Sequence, residues 1–132
     1  PERDYTSFQK SHPDHLAVGQ AVTHAVYPSL ENPYAYPELL EAGLEPHKLR
    51  HLWYFAQPEH LTNMAVEISS TVDTKIEALL KHASQHPDVE KMQQFVRQQA
   101  AHMAQQVNAA DWQAAETFHA VCVNTAETIA GF

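Results

Sequence analysis

Hydrophobic and polar positions along the chain alternate between two periods. From Pro13 to about Tyr27, within "KSHPDHLAVGQAVTHAV", the apolar residues Leu16, Val18, Ala21, Val22, Ala25 and Val26 recur at helical spacing. Pro28 closes that run. Proline is favoured at the first helical position because its missing N–H would be unpaired there anyway, so Pro13 starts this helix, with His12 at or beside the cap. Pro28 to Pro46 carries four prolines together with Tyr34 and Tyr36, the composition of an irregular excursion. It holds room for one short turn of helix from Pro37 to Ala42, stopped by Gly43. Loops of this length are often functional lids or rims.

The period then changes. "KLRHLWYFA", Lys48 to Ala56, is a continuous aromatic-rich run that suits a buried strand, against which the first helix is expected to pack. "AVEIS", Ala65 to Ser69, reads as a second, shorter strand. Ser70 or Thr71 offers a cap for a helix whose face is Val72, Ile76, Leu79, Leu80 and Ala83, running to about His86. A further helix restarts at Pro87, with Val89, Met92, Phe95, Val96, Met103 and Val107 inward. "AETFHAVCV", Ala115 to Val123, alternates as a strand does, with helix as the alternative. Helices interleaved with a few buried strands predict an α/β fold, and 132 residues with 44% hydrophobic content suffice for one domain.

Charge narrows the partners. Sixteen acidic against eight basic residues, a formal net charge of −8, provide no electrostatic footprint for nucleic acid or an anionic membrane surface. No apolar run approaches the roughly 20 residues of a membrane span. The single cysteine, Cys122, excludes an internal disulfide and a Cys-rich zinc cluster and fits a reducing compartment, so cytoplasm is the expected location. Ten histidines leave imidazole and carboxylate as the means of holding any transition metal.

The sharpest chemical feature is "HPDH", His12 to His15. One histidine can bind a metal while the other, oriented by Asp14, handles a proton or a developing oxyanion. The same four residues also make a helix start, since an aspartate in the first turn interacts favourably with the helix dipole. "HPDV", His86 to Val89, lacks the second histidine and reads as a helix start alone. His82 and Gln85, one turn apart in "KHASQ", are either an exposed helix end or a site rim. His24, His47, His51, His60, His102 and His119 have no close ligand spacing, and Tyr34, Tyr36 and Trp53 line either a pocket or the core.

"HPDHLAVGQAVTHAV", with "TVDTKIEALLKHASQ" from Thr71 to Gln85 and "AETF" from Ala115 to Phe118, resembles three motifs of the LmbE-like (PIG-L) de-N-acetylase family, in the family's order. The resemblance implies a Rossmann-like, three-layer α/β scaffold and a Zn2+-dependent hydrolase that removes acetyl groups from N-acetylglucosamine-like amino sugars or related amides. By that pattern His15 is the zinc ligand. His12 stabilises the tetrahedral oxyanion or protonates the leaving amine, and Asp14 orients His12. The family's first motif, Ala-His-Pro-Asp-Asp, supplies two further ligands and the general base, and Pro1 to Ser11 contains no such motif. Residues 1–132 are therefore expected to be a single domain portion, the C-terminal part of such an enzyme. Its expected partners are the N-terminal part of the same protein, a small amino-sugar or amide substrate and, since family members often form trimers or hexamers, further copies of itself. The alternative is a non-catalytic structural or interaction module derived from this fold.

Overall fold

The computed structural model describes residues 12–127. The chain divides into two compact units, one formed by residues up to Thr62 together with those from Phe118 onward, the other by Asn63–Thr117. Helices α1 (Pro13–His24) and α2 (Pro37–Glu41) are followed by strands β1 (His51–Tyr54) and β2 (Met64–Glu67), then by helices α3 (Val72–Leu80) and α4 (Val89–Gln106) and strand β3 (Ala115–Cys122). The strands form a three-stranded sheet in the order β1-β3-β2, so the fold is α/β in the general sense of helices with a small sheet. β3 contributes its first residues to the second unit and the remainder to the first.

The second unit holds the better-packed core. Ile68, Val72 and Ile76 meet Met92, Val96 and Ala100, with Ala114 completing the cluster. On α4 the inward stripe is Met92, Val96, Ala100 and Ala104, a strict four-residue step whose small members allow close packing. Val89 and Phe95, expected inward, are exposed. Val89 lies in the first turn, and Phe95 sits ~60° around the helix from Met92, on the flank of the stripe.

Helix boundaries follow cap chemistry. Thr71, one of the two residues expected to cap α3, stands at its N-cap position, but its hydroxyl donates back to Ile68 O at 3.3 Å and makes no capping bond. Asp88 caps α4, its carboxylate accepting the Lys91 N–H at 3.0 Å, which puts the start two residues beyond Pro87. α3 ends at Leu80 rather than near His86. Its apolar face is spent there, and the polar stretch before Pro87 closes in tight turns instead, His82 N–H to Leu79 O at 3.0 Å and Gln85 N–H to His82 O at 2.9 Å.

In the first unit β1 and β3 run antiparallel, with Leu52 opposite Val121 and Tyr54 opposite His119. The strand expected over Lys48 to Ala56 is present but only one of its faces is covered. Leu52 and Tyr54 are half-buried, while Trp53 is 50% and Phe55 71% exposed. α1 is also not packed as expected: none of its residues is buried, and Val18 and Val22 face outward. Its inward line is Leu16, Gly19 and Thr23, continued by the buried Val26 in a π-helical turn over Ala25–Ser29.

The excursion between that turn and β1 is tied at both ends. His47 N–H donates to Leu30 O at 3.0 Å. The buried Asn124 amide donates to Leu49 O at 2.9 Å and to the Glu31 carboxylate. Within the excursion α2 stops as expected, at Gly43, whose φ of +78° is the left-handed conformation that glycine adopts without steric cost.

Candidate active site

His12 is the N-cap of α1, with extended backbone angles, and Pro13 occupies the first helical position. The His12 carbonyl accepts the first helical bond, from Leu16 N–H at 3.1 Å. The side chain caps as well: Nδ1 accepts the Asp14 N–H at 3.2 Å, the task a serine or aspartate oxygen usually performs. An Nδ1 that accepts a backbone N–H carries no proton, so the neutral ring holds its proton on Nε2. The outer edge of His12 is therefore an N–H donor.

The Asp14 carboxylate stands 3.7 Å from His12 Nδ1, beyond hydrogen-bond range. The His12 and His15 rings lie with centroids 5.7 Å apart and tilted by 53°. All three side chains are exposed. One helical turn thus brings together a ring N–H donor, a carboxylate and a second imidazole open to solvent. Among the described residues no group of three or more His, Cys, Asp or Glu is placed to hold a metal ion.

The other motif residues are set elsewhere. Asp88 of "HPDV" is a cap, so that segment is a helix start, as read from its sequence. His82 and Gln85 lie in the exposed turn that follows α3. Lys75 on α3 forms an ion pair with Glu116 on β3, so one charged residue from each of two of the three motifs pairs with the other. Ser69 Oγ accepts the N–H groups of Gln113 and Ala114, both at 3.1 Å, and Ile68 N–H donates to Ala114 O at 2.9 Å. These bonds lock the approach to β3 against the end of β2.

Sequence reasoning passed over a chain of polar contacts in the first unit. His119, half-buried on β3, holds Leu61 O with Nδ1 at 2.6 Å, which places the proton on Nδ1 and leaves Nε2 as an acceptor. Its ring stacks on Tyr54, with centroids 6.2 Å apart. Thr23 Oγ1 donates to Gly19 O at 2.6 Å, so the 2.6 Å contact between Thr23 and Tyr54 is donated by the tyrosine hydroxyl. The only signal for this chain is the cross-strand register of Tyr54 and His119, which follows from pairing rather than from either segment alone. No protein-family model matches the chain, and no curated protein or solved structure matches it either.

Proposed function

We propose that the chain is the C-terminal part of a zinc-dependent amide hydrolase of the LmbE-like type, acting on N-acetylglucosamine-like amino sugars or related conjugates. The observation that carries the reading is the state of His12. Its Nδ1 is occupied by the Asp14 N–H, which turns an Nε2–H donor outward beside the exposed ring of His15. A helix start alone needs no histidine at the cap, because serine, aspartate or asparagine performs the same task.

In this reading His15 is one metal ligand. The described residues do not complete a set of three, so the remaining ligands and the general base belong to a segment carrying His-Pro-Asp-Asp. When bound, zinc supplies an activated water and polarisation of the amide carbonyl. The chain's own part is that His12 Nε2–H donates to the oxygen that gains charge. Asp14, through the backbone N–H it gives to Nδ1, holds His12 in that tautomer. The parallel strands of a Rossmann-like scaffold would lie in the portion that carries the first motif, joined by the α/β elements described above. A cytoplasmic location and self-assembly belong to the same proposal; no helix among the described residues is long and apolar enough to cross a membrane.

The completeness of the cap favours a second reading, a non-catalytic module in which "HPDH" only begins α1. Zinc content and deacetylation of an N-acetylglucosamine derivative by the intact protein, with and without His15→Ala, separate the two. Loss of metal together with turnover supports the hydrolase, whereas an intact protein without zinc or deacetylation supports the module.

A further inference from the structure

The excursion between the π-helical turn and β1 folds into an apolar cup. Leu30, Leu39, Leu40, Leu44, Tyr36 and Pro33 form most of its wall, and the cavity measures about 220 Å³. The four leucines and Tyr36 are each more than a third exposed, so the cup opens to solvent. An apolar cavity of roughly 150 Å³ accepts benzene, so this volume suits one aromatic ring with a short side arm. Glu45 is the only lining residue whose side chain is charged at neutral pH, and the chain as a whole carries −8. The cup therefore favours a cation over an anion on electrostatic grounds, and the Tyr36 ring adds a face that attracts ammonium groups. It is made entirely by residues 25–46, whose ends are tied down through His47, Leu49 and Asn124. A contiguous segment fixed at its base is a pre-formed site rather than a fold that must close on its ligand.

We propose that this cup binds small arylalkyl ammonium compounds, the apolar ring seated among the leucines and the ammonium at Glu45. The site is independent of the hydrolase reading, since none of His12, Asp14 and His15 lines it.

Phenethylammonium, neutral 2-phenylethanol and phenylacetate, titrated into the 132-residue protein and followed by amide NMR, test the proposal. Phenethylammonium should bind saturably, in the millimolar range expected of a ligand with about nine heavy atoms. Its shifts should be confined to residues 25–46. Glu45→Gln, at an exposed position, should weaken the ammonium about fivefold, the effect of one partly exposed charge pair, and leave 2-phenylethanol unchanged. Leu40→Ser should weaken both. The proposal is overturned if phenylacetate binds as tightly as phenethylammonium, if Glu45→Gln affects neither ligand, or if no saturable binding appears below ~20 mM. It is also overturned if sedimentation finds a dimer in which the 25–46 amides are protected, because a second copy would then be the occupant.

Discussion

Lys75 on α3 and Glu116 on β3, 41 residues apart in sequence, form an ion pair that joins the helix to the strand. Both belong to motifs that suggested a hydrolase, yet their observed role is structural. Their side chains are 42% and 35% exposed, so solvent screens much of the attraction. Lys75→Met and Glu116→Gln should each cost below about 1 kcal/mol. A double-mutant cycle in urea should return a coupling that shrinks at high salt. A coupling that persists undiminished in 1 M salt would mean that the pair is more deeply shielded than its exposure indicates.

Asn124 is the buried polar group among the described residues of the first unit, 6% exposed, and its amide satisfies Leu49 O and the Glu31 carboxylate at once. Asn124→Ala strands a carbonyl and removes one of the two ties across the base of the excursion, so a loss of about 1–3 kcal/mol is expected. The loss should be local. Hydrogen exchange over residues 30–49 should accelerate, while amides of the α3 and α4 core keep their protection. Equal acceleration in both units would show that the clamp supports the whole chain.

Much of the helical structure was legible because caps are local chemistry. Pro13, Thr71 and Asp88 sit where helix starts need them, and Gly43 where a stop is needed. What failed was the choice of face. The run Leu52–Phe55 is apolar throughout, and nothing local says that only Leu52 and Tyr54 are covered. Likewise Val18 and Val22 are the stronger hydrophobes of α1, yet Leu16, Gly19 and Thr23 turn inward because the Tyr54 hydroxyl offers Thr23 a partner from β1. The "HPDH" turn was legible as a cluster, but not the use of His12 Nδ1 as a cap acceptor, which depends on backbone angles.

Glu67 predicts a pH dependence. The Ser69 hydroxyl and backbone N–H both bond its carboxylate and hold its pKa below the usual 4.5. A carboxylate depressed in the folded state stabilises above its unfolded pKa, and that contribution is lost as the pH falls through the lower folded value. The wild-type urea midpoint should therefore decline as the pH drops below about 4.5, and Glu67→Gln should decline less over the same range. Glu67 is fully exposed, so the difference should be small. Parallel declines for both proteins would assign the acid sensitivity to other carboxylates.

On the hydrolase proposal, His12 and His15 should separate by mutation in the intact protein. On that proposal His15→Ala removes a ligand, so bound zinc and turnover should fall together. His12→Ala mixes two effects, because it deletes both the outward N–H donor and the acceptor for the Asp14 N–H, at about 1 kcal/mol of helix stability. His12→Asn resolves them. Asparagine keeps a cap acceptor but lacks the outward ring N–H, so zinc and helicity should stay near wild type while turnover falls by roughly 10²–10³-fold. Asp14→Asn should be milder. It leaves in place the Asp14 N–H that His12 Nδ1 accepts and removes only the charge 3.7 Å from that atom, so the loss should be smaller than that of His12→Asn. Zinc by mass spectrometry, helicity by circular dichroism and deacetylation of an N-acetylglucosamine derivative cover the set. An empty site in His12→Asn with full metal in His15→Ala would invert the two roles. Full turnover in every variant would leave "HPDH" as the start of α1 and nothing more.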